Sequence, residues 1–181
     1  VSNPRAIRRH VPGEADFIGQ LSGATVTGTK RRGKYFWFTL DSGDVLVVHL
    51  GMSGQLLVQQ PTDDTNRHLR VRVTFDDARD ELWFVDQRTF GGMFLDEVAD
   101  EEAIPTTLAH IAPDPLSAEF DRRATVRRMR RKQSPVKAVL LDQSVVSGIG
   151  NIYADESLWR ARLHWQRPAA SISPARLREV L

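Results

Sequence analysis

The sequence predicts an α+β chain in which antiparallel β-structure is followed by a helical part. Three observations carry this. Short aromatic and β-branched runs recur up to about residue 85, at a spacing typical of antiparallel sandwiches or barrels. Strand signals then stop at the stiff, turn-rich Ala112-Pro113-Asp114-Pro115-Leu116, and helix signals begin. The charge changes sign at the same place: residues 1–112 hold 12 Lys+Arg against 16 Asp+Glu, a net −4, and residues 113–181 hold 13 against 7, a net +6. The expected domains are therefore residues 1–114 and 115–181.

Within the first part, Tyr35–Leu40 and Val45–Leu50 flank the short loop Asp41-Ser42-Gly43-Asp44 and read as a hairpin. Gln55–Val58 offers a further strand. His68–Phe75 alternates, with Leu69, Val71, Val73 and Phe75 expected on one face. Asp76–Asp80 turns the chain and Glu81–Val85 returns it. An acidic stretch over residues 96–106, including Asp100, Glu101 and Glu102, precedes the boundary.

In the second part, Ser134-Pro135 reads as a cap and first helical residue, with Val136, Val139 and Leu140 on one face. Gly148 and Gly150 are expected to break this helix by adopting angles closed to other residues. Asn151 is placed to cap the next helix, with Asp155 and Glu156 near its positive end. A glycine turn feeding a helix start leaves backbone amides free to seat a phosphate. Alone, such a corner is an ordinary helical hairpin. The basic run before it (Arg122, Arg123, Arg127, Arg128, Arg130, Arg131, Lys132, then Lys137) shifts the reading from a solvated face toward a phosphate track.

Composition excludes several classes. The chain has 181 residues, 41% hydrophobic and 27% charged, enough for a buried core. It has no cysteine, so no disulfide or thiolate zinc site lies within it, and no apolar run reaches membrane-spanning length. The five histidines are scattered, and no nucleophile elbow, HExxH, EF-hand or P-loop pattern is present. Both ends read as cut: position 1 is Val, and the helix begun at Ser173-Pro174, with Ile172 able to staple to Leu177, has about two turns before residue 181.

Three loops of the first part carry more chemistry than folding requires. Arg31-Arg32-Gly33-Lys34 holds Lys34 at the mouth of an apolar strand, where a charge also protects a sheet edge. His49-Leu50-Gly51-Met52-Ser53-Gly54 presents Met52, a packing residue or an apolar wedge. Asp86-Gln87-Arg88-Thr89-Phe90-Gly91-Gly92 places an arginine and an aromatic two residues apart, suited to phosphate contact and base stacking.

Together, RRGKY (31–35), HLGMSGQL (49–56), RHLRV (67–71), DQRTFGG (86–92), PDPLS (113–117) and LLDQSVVSGIGNIYADESLWRA (140–161) resemble the formamidopyrimidine-DNA glycosylase/endonuclease VIII family, the glycine loops being closer to the formamidopyrimidine branch. The resemblance implies a β-sandwich followed by a helical domain with a helix-two-turn-helix. It implies an enzyme of base-excision repair that removes 8-oxoguanine and formamidopyrimidines from duplex DNA and nicks the abasic site by β,δ-elimination. Its nucleophile is an N-terminal proline amine beside a glutamate, and a four-cysteine zinc ribbon binding one zinc ion follows the helical domain; neither piece occurs among these 181 residues. Carried over by motif, Lys34 matches a catalytic lysine of the elimination steps. His68, Arg88, Lys132, Lys137 and Asn151 match DNA-contacting positions. Met52, Arg88 and Phe90 match the trio that fills the void left by the extruded nucleotide. No metal ligand is expected in this chain. The implied partner is damaged double-stranded DNA, bound by a monomer with no membrane contact, in the bacterial cytoplasm with the nucleoid. The alternatives are an endonuclease VIII-like enzyme for oxidised pyrimidines, or a non-catalytic nucleic-acid-binding module.

Overall fold

A computed structural model describes all residues except 63–65, 78 and 99–103. The sequence readings at Ala78 and at Asp100, Glu101 and Glu102 lie outside the described residues. The chain divides into two compact units. One comprises Val1–Arg31 with Tyr35–Ala109; the other comprises Arg32–Lys34 with His110–Leu181. The division falls before His110 and not at residue 114, and the tripeptide 32–34 belongs to the helical unit. Several bonds tie it there: Arg32 Nη2 donates to Glu119 Oε2 (2.9 Å), Gly33 N–H to Asp114 Oδ2 (3.1 Å) and Lys34 Nζ to the Ile149 carbonyl (2.7 Å).

The first unit holds two sheets. Strands β1 (Val26–Arg32), β2 (Tyr35–Leu40), β3 (Val45–His49) and β7 (Gly92–Asp96) form one, in the order β1-β2-β3-β7. Strands β4 (Gly54–Gln59), β5 (Leu69–Val73) and β6 (Glu81–Asp86) form the other, in the order β4-β6-β5. The β2–β3 hairpin pairs antiparallel from Tyr35↔His49 to Thr39↔Val45, and β7 covers the other edge of β3. Strand β3 is thus paired along both edges, and its Val45–Val48 are all buried. Leu46, Val48 and Met93 of the first sheet share one core with Val71 and Phe84 of the second, which makes the unit a β-sandwich.

Two features of this unit depart from the sequence reading. Strand β5 ends at Val73, so Phe75 lies beyond it, and its register on β6 shifts between Leu69 and Val71. The extra residue of a bulge breaks the alternation. Leu69 consequently packs with Trp83 and Val85, while Val71 packs in the main core. The sequence reading does not contain helix α1 (Glu14–Leu21), which carries the fully buried Phe17, or strands β1 and β7.

The second unit is helical: α2 (Arg122–Arg130), α3 (Val136–Leu141), α4 (Asn151–Arg160) and α5 (Pro174–Val180) enclose a core that includes Met129, Leu140, Ala154 and Leu177. Asp121 caps α2 by accepting from Ala124 N–H (2.9 Å), and Ser173 caps α5 with Pro174 in its first turn. Ile172 and Leu177 are both buried in this core. The Ser134-Pro135 reading requires correction. Pro135 is extended and precedes α3, and no side chain caps that helix. Val136 N–H donates instead to the Arg167 carbonyl (2.8 Å), and the Ser134 carbonyl accepts from Ala169 N–H (3.1 Å). A neighbouring extended segment has taken the serine's place as cap. Val136, Val139 and Leu140 do share the buried face. Among the described residues, no helix is long and apolar enough to cross a membrane.

Leu140, with no exposed surface, anchors the helix that leads into the glycine corner. Leu140→Ala is expected to lower stability by about 2–5 kcal/mol, read as a lower urea midpoint at unchanged slope.

Candidate nucleic-acid interface

In the helical unit, the corner is assembled by backbone groups denied partners in their own helices. Helix α3 ends at Leu141, well before the glycines, because Asp142 is extended and its Oδ1 accepts from Ser144 N–H and Oγ–H. Gln143 then ties the turn from within. Its Oε1 accepts from Gly148 N–H (3.0 Å), and its Nε2 donates to the carbonyls of Leu141 (2.9 Å) and Ile149 (3.0 Å). Of the two glycines, only Gly148 (φ 86°) is left-handed; Gly150 (φ −114°) is extended. The sequence reading that both supply angles closed to other residues holds for Gly148 alone.

Gly150 precedes α4, and Asn151 is the first helical residue rather than its cap. No side chain caps this helix, and no acid stands in its first turn. Asp155 lies farther along, paired with Lys137 (2.7 Å). The acceptor that Tyr153 N–H would use one turn back, the Ile149 carbonyl, receives Lys34 Nζ and Gln143 Nε2. The amides of Asn151, Ile152 and Tyr153 therefore have no acceptor among the described residues. This leaves three donors at the positive end of a helix, an anion seat.

Lys34 stands at that seat. Its ammonium is solvent-accessible, yet packing around the stem removes part of its hydration and lowers its pKa below the ordinary lysine value. Asp114, buried, fixes the preceding peptide: its Oδ2 accepts from Gly33 N–H and its Oδ1 from Leu116 N–H. The basic run forms α2. Thr125, Val126 and Met129 face the core, while Arg122, Arg123, Arg127 and Arg130 are exposed. Lys132 pairs with Asp142 (3.3 Å), so Lys132 and Lys137 each carry an acid partner.

In the sandwich unit, the structure brings two of the candidate loops together. Gly51 (φ 63°) backs onto the second loop so closely that a Cβ there would lie 2.5 Å from the Gly91 nitrogen, and one on Gly91 would lie 2.6 Å from the His49 carbonyl oxygen. Only backbone fits between them. Asp86, with no exposed surface, binds both. Oδ1 accepts from Ser53 Oγ–H (2.6 Å) and Arg88 N–H (3.1 Å), and Oδ2 from Gly91 N–H (2.8 Å). Burial pushes the Asp86 carboxyl up, but hydrogen bonds from Ser53 and from the amides of Gly91, Arg88 and Thr89 outweigh it and hold the pKa below the ordinary aspartate value.

On this base stand three exposed side chains. Met52 is 73% exposed and Phe90 44%, and the Arg88 guanidinium lies over the Phe90 ring, 4.9 Å from its centroid. His68 is half-buried. Its Nε2 accepts from Arg67 Nε–H (2.9 Å), which leaves the ring proton of the neutral form on Nδ1, and its carbonyl accepts from Asp86 N–H (2.9 Å). Sequence reasoning named the exposed groups and missed those that hold them: Asp86, Ser53, Asp114 and Gln143. A carboxylate beginning the DQRTFGG motif was the available signal for Asp86.

Because the Asp86 carboxyl is held low, its stabilisation is complete above the ordinary aspartate pKa of about 3.9 and is lost as pH falls through the lower folded value. Asp86→Asn, which deprives buried donors of an acceptor, is expected to cost about 1–3 kcal/mol at neutral pH and to flatten this acid limb. Denaturant titrations at a series of pH values check both.

Comparisons with known proteins place the chain. The family model described as the formamidopyrimidine-DNA glycosylase N-terminal domain matches residues 1–93, and that described as the formamidopyrimidine-DNA glycosylase H2TH domain matches residues 111–181. Curated relatives named formamidopyrimidine-DNA glycosylase include those of Rhodococcus erythropolis, 53% identical over 184 residues, and Thermobifida fusca, 49% identical over 191. These alignments cover 100% of this chain, which spans 63% and 64% of those relatives' lengths. Among solved structures, the Lactococcus lactis enzyme in complex with a FAPY-dG-containing DNA superposes with a TM-score of 0.82 at 27% identity, covering 99% of this chain and 65% of that one. The same enzyme non-covalently bound to an abasic-site DNA gives 0.82 at 27% identity, covering 99% and 66%. The chain belongs to the formamidopyrimidine-DNA glycosylase family.

Proposed function

We propose that the protein is a base-excision repair enzyme that removes oxidised purines, 8-oxoguanine and formamidopyrimidines, from duplex DNA and cleaves the abasic site by β,δ-elimination. The observation that carries this reading is the α4 start, where three partnerless amides meet the Lys34 ammonium. The relatives' name and the lesion-containing DNA of the Lactococcus complexes support it.

Each residue then has a task. The amides and side chain of Asn151 hold sugar-phosphate backbone, with Lys132 and Lys137 exchanging their acid partners for phosphate. His68 and Arg88 add further backbone contacts. Extruding the damaged nucleotide costs a few kcal/mol of stacking. Met52, Arg88 and Phe90, held out on a rigid loop pair, fill the vacated space and recover part of that cost. Lys34 supplies a proton in the elimination steps, a task for which a lowered ammonium pKa is suited.

The proline nucleophile and its glutamate match no residue of the 181, and the roles proposed above rest on the residues that are present. It offers no fit for zinc either. The sequence has no cysteine, and no group of three or more His, Asp or Glu converges among the described residues. We place any zinc in the part of the relatives that this chain does not span, and the working protein as a monomer in the bacterial cytoplasm with the nucleoid.

Phosphate contacts carry no damage information. Asn151→Ala is therefore expected to weaken binding to lesion-bearing and intact duplexes equally, and to leave the slope of log K against log salt unchanged, since a neutral side chain displaces no counterion, measured by anisotropy titration. A chain whose duplex affinity is absent or insensitive to salt would sink the reading. A second outcome follows because no residue of the 181 matches the proline nucleophile: borohydride treatment of the 181-residue chain on 8-oxoguanine or abasic DNA is expected to trap no covalent adduct.

A further inference from the structure

We propose that Arg8 is a positioning residue that holds the Phe90 loop in its protruding form, an inference that rests on the wedge role given to Phe90 above. Arg8 follows a single 3-10 turn, Pro4–Ile7, whose Ala6 and Ile7 are buried in the sandwich core, so its backbone is anchored while its side chain is exposed. The guanidinium pairs with no carboxylate among the described residues. It reaches across the unit and donates to three consecutive carbonyls of the loop: Nη1 to Thr89 (3.3 Å) and Gly91 (3.0 Å), Nη2 to Phe90 (3.1 Å). Nη1 also donates to its own turn at Arg5 (2.8 Å).

Three successive carbonyls do not converge in ordinary extended chain, where neighbours point in alternate directions. Here Thr89, a β-branched residue, adopts φ 55°, a left-handed conformation costly for it. That twist brings the carbonyls onto one point, where they repel one another unless a cation sits among them. The amides of the same loop turn the other way, onto Asp86. The loop is held by a cation beneath its carbonyls and an anion beneath its amides, and Phe90 projects from between them. Ordinary loop packing would not place a charge of matching sign on each edge of a five-residue bend.

The test uses this chain and needs no catalysis. A duplex carrying a tetrahydrofuran abasic analogue, with 2-aminopurine opposite it, brightens when an inserted side chain unstacks the probe. At saturating protein the wild-type chain is expected to raise the fluorescence and Phe90→Ala to lose the rise. Arg8→Ala is expected to lose most of it, and Arg8→Lys to restore part, since an ammonium has three donors. In the free proteins, amide exchange at Arg88–Gly91 is expected to quicken about tenfold in Arg8→Ala, while β3 (Val45–Val48) keeps its protection. A full fluorescence rise in Arg8→Ala, or unchanged exchange at the loop, overturns the proposal. So does loss of protection in β3, which would make Arg8 a general support of the sandwich. If the wild-type chain itself produces no rise, the wedge reading fails first and the proposal falls with it.

Discussion

The destination of one carbonyl determines what the glycine corner can do. In an uninterrupted helix the Ile149 oxygen would accept from Tyr153. Here Lys34 and Gln143 claim it, and the first turn of α4 is left with donors that find no acceptor among the described residues. Helix starts usually satisfy such donors with a serine, threonine or aspartate side chain. This one begins after a glycine, with Asn151 already inside the helix and the nearest acid, Asp155, engaged by Lys137. The anion seat is a deficit built by diverting an acceptor and withholding a cap. The same diversion stations a cation at the seat, because the group that takes the carbonyl is the Lys34 ammonium.

The loop pair of the sandwich unit works by the opposite principle. Its backbone also turns several amides toward one point, but a carboxylate of the chain, Asp86, already occupies that point. A nest filled from within has no room for a phosphate. What it gains is rigidity, and the glycine contacts between the two loops leave no slack for a side chain to enter. The side chains this frame holds out to solvent are Met52, Arg88 and Phe90. Under the proposed function the two places would separate two kinds of recognition: open amides for backbone phosphate, which is uniform along DNA, and side chains held out by a frame for a local gap in the base stack.

The parts of the fold legible in the sequence are those whose determinants are local. The β2–β3 hairpin declares itself because Val45–Val48 are apolar without interruption and Gly43 supplies the turn. The Ser173-Pro174 start of α5 is equally local, since cap and helix lie within four residues. Ser134-Pro135 carries the same signature and fails, because the extended segment around Arg167 supplies the cap from thirty residues away. Alternation over Leu69–Phe75 misled for a related reason: a bulge is set by the partner strand, here β6, and leaves no mark on its own sequence. Asn151 reads as a cap by residue type, yet Gly150 takes the cap position and Asn151 is already helical.

The candidate site divides along the same line. Lys34, Met52, Arg88 and Phe90 stand out in the sequence because charge, sulfur or an aromatic ring beside glycine is unusual. The groups that orient them do not, because each works through a contact distant in sequence: Asp114 on Gly33, Asp86 on Ser53, Gln143 on a carbonyl that Lys34 shares, Arg8 on the carbonyls beyond Thr89. Most of these contacts run from a side chain to backbone and not to another side chain. Backbone groups are identical at every position, so no pattern of residue types reveals which of them will be left over once helices and strands have formed. That remainder is fixed by tertiary structure, and in this chain both the anion seat and the wedge frame are built from it.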